Sequence, residues 1–182
     1  MIKQVDLIIT PRWIFSAIDS VVLEKTSIVV DKGNILELIP NEIIEQKYAA
    51  KASFNLADHL LLPGLINAHT HAAMSLFKGY ADDLTLQSWL TDRIWPAEKK
   101  YVDEKFVTEG SKLAIAEMIQ SGITTFNDMY FYPQQTAEVA VKIGMRANLG
   151  MVLLEFPTNY ASDPDDYLTK GLAFRDLFRE EG

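Results

Sequence analysis

From residue 65 onward, apolar strand-like runs alternate with amphipathic helical segments, and that alternation restricts the fold more than any other feature. Residues 65–68 form a continuous apolar stretch, as in a parallel sheet buried on both faces. A helix is expected over 103–120, with Val107, Gly110, Ala114 and Met118 on one stripe, widened by Ile115 and Ile119. Ser121-Gly122 closes it, and residues 123–130 form a second strand. Pro133 opens a second helix with Ala137, Ala140 and Val141 facing inward, ended by Gly144. Residues 146–154 read as a third strand. The third helix starts with Asp163 as N-cap, Pro164 in the first helical position, and Asp165 and Asp166 in the first turn. Tyr167, Gly171, Phe174 and Phe178 then share one side. The order β, α, β, α, β, α predicts an α/β fold, a parallel sheet with covering helices.

Residues 1–60 follow another pattern, of short strands. A strand over 5–10 is expected to stop at Pro11, and strands over 27–30 and 35–39 flank a hairpin at Asp31-Lys32-Gly33-Asn34. Pro40 ends the second of these, and a short helical stretch over 41–50 should follow. This region reads as a small β domain or one part of a larger sandwich, with the boundary to the β/α region at 60/61. Residues 72–100 show no clear period.

Between the two regions lies Leu61-Leu62-Pro63-Gly64-Leu65-Ile66-Asn67-Ala68-His69-Thr70-His71. Alternate residues of a strand share a face, so His69 and His71 project to the same side, roughly 6.6 Å apart along the strand. Two imidazoles so placed can converge on one metal ion at about 2.0–2.1 Å each. The plainer possibility is a pair of histidines bonded to backbone and solvent near a loop. The whole chain has three histidines, and two of them stand at the end of this apolar strand, where β/α barrels build active sites. There is no cysteine, which removes disulfides, thiolate metal sites and cysteine nucleophiles. Net charge is −8, with no basic cluster, so nucleic acid and anionic membrane are poor partners. Charge within residues 1–6 argues against a signal peptide, and no apolar run approaches the ~20 residues of a membrane span. A cytoplasmic protein is expected.

The run 63–71 resembles the first-strand signature of the amidohydrolase superfamily. The continuation Ala72-Ala73-Met74-Ser75-Leu76-Phe77-Lys78-Gly79-Tyr80-Ala81-Asp82-Asp83-Leu84 is similar to the branch of nucleoside, purine and triazine hydrolases. Ser88-Trp89-Leu90, Ile94-Trp95-Pro96-Ala97-Glu98 and Asn127-Asp128-Met129-Tyr130-Phe131 most resemble the 5'-methylthioadenosine/S-adenosylhomocysteine deaminases. The resemblance implies a metal-dependent (β/α)8 barrel with a β-sandwich built from segments on both sides of it. Residues 1–60 would be the sandwich segment and 61–182 the first three β/α units of an incomplete barrel, since a full one needs ~250 residues. His69 and His71 would be two ligands of a single divalent metal, zinc by preference. The family's remaining histidine and aspartate ligands and its acid/base glutamate come later in the chain, and no histidine follows His71. Metal-activated hydroxide would attack the purine ring while a carboxylic acid shuttles protons. No catalytic residue of that kind is expected within these 182 residues, so the segment alone should be inactive.

The glutamate at the position of Glu98 binds the ribose hydroxyls in those deaminases; by composition alone, with Lys99 and Lys100 beside it, Glu98 would be a solvated acid. Members acting on S-adenosylhomocysteine place an arginine just after the third strand, where this chain has Gly150-Met151. Losing a bidentate carboxylate partner favours a methylthio substituent. Asp128 could orient a ligand histidine or bond local backbone, and Trp89 and Trp95 could stack on a purine or belong to the core. The reading is a deaminase of 5'-methylthioadenosine or a related adenine nucleoside, a homodimer in its full-length form with a small-molecule substrate. The alternatives are a triazine or chloro-heterocycle hydrolase, a free-base (guanine or cytosine) deaminase, or a non-catalytic metal-binding or assembly fragment.

Overall fold

The structure, a computed structural model, describes residues 2–179, which divide into two compact units between Pro63 and Gly64.

The first unit is one five-stranded sheet. Strands β1 (Lys3–Ser16), β2 (Val21–Glu24), β3 (Thr26–Asp31) and β4 (Asn34–Pro40) run in the order β2-β1-β3-β4, and β5 (Tyr48–Leu61) pairs with β1. A 3₁₀ turn, Asn41–Ile43, and the one-turn helix α1 (Ile44–Lys47) precede β5. The β3–β4 hairpin closes where expected: Asp31 pairs with Asn34, and Lys32 and Gly33 both take positive φ, as a two-residue primed turn demands. Pro11, by contrast, does not end β1. The strand pairs with β3 through Leu7–Ile9 and with β2 from Trp13, so Pro11 sits between two antiparallel ladders, and the parallel register to β5 shifts between Pro11 and Trp13. A residue without an N–H is tolerated at such a break. The helical stretch expected to residue 50 stops at Lys47, because Tyr48, Ala49 and Ala50 pair with Lys3, Gln4 and Val5. Most of β5 is exposed, so its sequence carries no apolar alternation, and pairing to β1 decides its conformation. Val5, Ile8, Val29, Ile39 and Ile44 make the core of this unit.

The second unit holds a parallel three-stranded sheet, β6 (Leu65–Thr70), β7 (Ile123–Met129) and β8 (Arg146–Gly150), in the order β6-β7-β8. Between β6 and β7 the chain forms a 3₁₀ segment, Ala72–Phe77, the single turn α2 (Leu86–Ser88), a π-helical turn, Trp89–Ile94, and the helices α3 (Trp95–Tyr101) and α4 (Glu104–Gln120). Helix α5 (Pro133–Ile143) joins β7 to β8, and α6 (Pro164–Arg179) follows. Asp103 caps α4 by accepting the Phe106 N–H at 2.7 Å, and Asp163 caps α6 by accepting that of Asp166 at 3.0 Å. Ala72, Ala114, Ile115, Met118, Phe126, Val139, Ala140 and Met145 form one continuous core. Gly110 lets α4 lie against the 3₁₀ segment, since a Cβ there would collide with the Ala73 carbonyl.

Three expectations change. Ile119 and Val141 face outward at 52% and 70% exposure, while Ser111, Thr136 and Val139 are buried, because the inward stripes of α4 and α5 are set by their mutual contact. The third strand ends at Gly150, where its pairing with Met129 stops. Strand β6 is not covered on both faces: Leu65 and Ile66 are exposed on a strand paired on one side alone. Among the described residues no helix is long and apolar enough to cross a membrane.

Candidate active site

Parallel pairing places the C-terminal ends of β6 and β7 side by side, with Thr70 opposite Asp128. His69 lies near the end of β6 and His71 just past it; their ring centroids are 5.2 Å apart at 77°, so the strand does bring both imidazoles together. The Nδ1 atom of His71 lies 2.6 Å from the carbonyl oxygen of Met129. A carbonyl only accepts, so Nδ1 carries the proton and donates, which leaves the Nε2 lone pair free for a cation. This fixed tautomer fits a metal ligand. The donor count does not suffice by itself, since no group of three or more His, Cys, Asp or Glu able to hold a metal occurs among the described residues.

Asp128 is buried, and its Oδ1 accepts the Ala72 N–H at 2.8 Å. The bond is to backbone, but not to local backbone: it ties the segment after His71, 56 positions away, to β7, while the Met129 carbonyl takes the His71 Nδ1–H. Burial pushes the Asp128 carboxyl above its ordinary value, against the Ala72 bond and the nearby His71, which pull it down.

Glu98 sits on α3, half-buried rather than solvated. Its Oε1 accepts a 2.7 Å hydrogen bond from the Tyr130 hydroxyl, and the Tyr130 ring stands 6.3 Å from that of His71. Tyr130 thus links the carboxylate to the histidine pair. Desolvation raises the Glu98 pKa, opposed by the Tyr130 bond and by His71. Burial, and then Glu98 itself, drive the Tyr130 hydroxyl far up, so it stays a donor at any physiological pH.

Glu98 opens onto a cavity of about 460 Å³ walled by Trp95, Phe131, Leu154, Phe156 and Tyr160, with Lys99 its one cationic lining residue. The rings of Trp95 and Phe156 lie 5.9 Å apart. Trp95 therefore belongs to the cavity wall, which its sequence left open. Arg146 is at the opposite end of β8, where its Nε donates to Thr125 Oγ1 at 3.1 Å. Sequence reasoning also missed Asn159, in the segment after β8. Its side-chain amide donates to the carbonyls of Lys99 at 2.9 Å and Val102 at 3.0 Å, with Glu98 O at 3.4 Å. The one available signal was its place in the segment that follows the carboxyl end of a strand, where site-building loops stand in β/α folds.

A parallel β/α sheet with paired histidines at the carboxyl end of its first strand places the chain among the β/α folds that build their sites at that end. The amidohydrolase family profile matches residues 60–180, and the chain belongs to the amidohydrolase family. It is 49% identical over 175 residues to a 5-methylthioadenosine/S-adenosylhomocysteine deaminase of Saccharophagus degradans, covering 96% of this chain and 39% of that protein. A 5'-deoxyadenosine deaminase of Methanosphaera stadtmanae is 42% identical over 145 residues, which is 75% of this chain and 33% of that one. Among solved structures, an adenosine deaminase from Xanthomonas campestris with bound zinc superposes with a TM-score of 0.93 at 37% identity, covering 98% of this chain and 41% of that one. The chain thus spans well under half the length of these relatives.

Proposed function

We propose that this chain is the N-terminal part of a metal-dependent aminohydrolase that deaminates 5'-methylthioadenosine or a related adenine nucleoside. In this reading residues 61–182 supply the first three β/α units of a (β/α)8 barrel and residues 1–60 a segment of a β-sandwich. The parallel order β6-β7-β8, with an unpaired edge on β6 and on β8 among the described residues, supports the barrel. The exposed apolar Leu65 and Ile66 on β6 support it too.

His69 and His71 would hold one divalent ion, read as zinc, which when bound makes a nucleophile of water near neutral pH. The Met129 carbonyl keeps His71 in the tautomer that presents Nε2. Two donors fall short of the usual three. The other ligands and the acid/base carboxylate would come from outside these 182 residues, which alone would be inactive. A homodimer is carried by the family resemblance alone.

The observation that carries the substrate reading is the Tyr130–Glu98 hydrogen bond, which joins a carboxylate lining an apolar cavity to a ring 6.3 Å from that of His71. Tyr130 occupies one lone pair of Oε1, leaving Oε2 and the remaining lone pairs to accept two vicinal hydroxyls of a ribose. No arginine lines the cavity, which favours a methylthio group over an amino-acid carboxylate. In the intact protein, Glu98→Ala should raise KM for 5'-methylthioadenosine by roughly tenfold or more and leave turnover of free adenine untouched. Unchanged methylthioadenosine kinetics, with a free base accepted equally well, would remove the nucleoside assignment and leave the free-base and triazine alternatives.

A further inference from the structure

Glu98 is the fourth residue of a seven-residue helix, and so short a helix depends on its neighbours to stay in place. Its last carbonyls are the groups a helix leaves without partners. Here the Val102 N–H closes back onto Glu98 O at 3.0 Å, and one side chain from a distant segment bonds Lys99 O and the carbonyl of Val102, the residue just past the helix. The Asn159 amide has two N–H bonds, and it spends them on Lys99 O at 2.9 Å and Val102 O at 3.0 Å, with Glu98 O within 3.4 Å.

Asn159 is itself held. The Tyr132 hydroxyl donates to the Asn159 carbonyl oxygen at 2.7 Å. Tyr132 reaches it from a left-handed backbone conformation, φ 51° and ψ 52°, at the start of α5. A non-glycine aromatic residue adopts that region at a cost, which persists when surrounding contacts over-determine it. The segments following β6, β7 and β8 are thereby joined at one point, through helix α3, Tyr132 and Asn159 in turn. Nothing else about Asn159, an exposed polar residue in a loop, calls for bonds to backbone some 60 positions earlier.

We infer that Asn159 is a positioning residue for Glu98: by bonding the carbonyls of Lys99 and Val102 at the C-terminal end of helix α3, it fixes where the carboxylate stands relative to Tyr130 and the cavity. The inference rests on the nucleoside reading of Glu98 given above. Asn159 also lines the cavity, but its side-chain N–H groups are turned to the backbone carbonyls of Lys99 and Val102. It acts on binding through the helix, so its loss weakens ribose recognition and leaves the chemical step alone, which appears as a change in KM at constant kcat. Water competes for the exposed carbonyls, so the effect is modest.

The test is a double-mutant cycle in the intact, metal-loaded protein with 5'-methylthioadenosine as substrate. Asn159→Ala should raise KM roughly three- to tenfold, the span of one to two solvent-exposed hydrogen bonds, with kcat unchanged. In the Glu98→Gln background the same substitution should add almost nothing, because the group it positions no longer recognises the ribose. A fall in kcat, or an equal effect in both backgrounds, marks a merely structural loop contact and overturns the inference. So does a silent Asn159→Ala beside an effective Glu98→Gln, which leaves the nucleoside reading standing. A silent Glu98→Gln overturns that reading first and this inference with it. Should Asn159→Ala fail to fold, Tyr132→Phe removes the hydroxyl that holds Asn159 and is judged by the same criteria.

Discussion

The Tyr130 hydroxyl and the Glu98 carboxylate, 32 positions apart in the sequence, meet at 2.7 Å where the segment after β7 crosses helix α3. This bond stabilises the ionised form of a carboxylate that burial pushes toward protonation. On the proposed reading, ribose binding needs the ionised acceptor. KM for the nucleoside should therefore climb as pH falls through a Glu98 pKa above the ordinary carboxylate value. Tyr130→Phe removes an influence that lowers that pKa, so the acid limb of the KM profile should move to higher pH. The stability sign is opposite to that of a salt-bridged acid. Between the ordinary value and the raised one the folded state binds more protons than the unfolded, so this group's contribution to stability declines as pH rises through that window. A pH series of nucleoside KM for the two proteins checks the first part, and denaturant midpoints check the second.

Replacement of either histidine should empty the metal site. His69→Ala and His71→Ala each remove a donor outright. Metal affinity should therefore fall by more than the roughly 10–100-fold that loss of an outer hydrogen-bond partner costs. Metal content after dialysis is the measurement. On the proposed reading, chelation of the intact, full-length protein should abolish deamination, and added zinc should restore it.

Gly110 stands where α4 crosses the 3₁₀ segment, and an added Cβ would lie 2.8 Å from Ala73 Cα with no flexible neighbour to yield. Gly110→Ala should destabilise the intact protein by about 1–3 kcal/mol. It should also weaken metal retention, since Ala73 follows His71 by two residues. Chemical denaturation and metal content report the two effects separately.

Ser111 and Thr136 bury their hydroxyls against each other at 2.9 Å between α4 and α5. Ser111→Ala strands the Thr136 hydroxyl and should cost about 1–3 kcal/mol. The double variant Ser111→Ala with Thr136→Val should recover part of the loss, because no unpaired hydroxyl remains. Urea unfolding of the three proteins decides.

Features that depend on a few adjacent residues were legible in the sequence. The His69–His71 spacing, the Lys32-Gly33 turn and the Asp163 cap each follow from local geometry, and the structure shows each of these arrangements. Features decided by partners far along the chain were not. Strand β5 begins at Tyr48 because β1 lies beside it, although a helical stretch is expected through residue 50. Pro11 is harmless in β1 only because two antiparallel partners meet there. The inward faces of α4 and α5 depend on which side each turns to the other, which periodicity narrows to a stripe and does not settle. The candidate site divides likewise. Its histidines were visible from spacing, and Glu98 from resemblance, whereas the bonds of Tyr130 and Asn159 to α3 join distant segments that no local pattern connects.

The parallel order of β6, β7 and β8 has a practical corollary. All the chemically equipped segments leave the sheet at one end, while the opposite end carries the glycine turns Gly122 and Gly144 and the Arg146–Thr125 pair. The two ends can therefore diverge independently. A reporter group or short insertion at the Gly144 turn should leave the histidines and Glu98 undisturbed, because it enters the molecule at the end of the sheet remote from them.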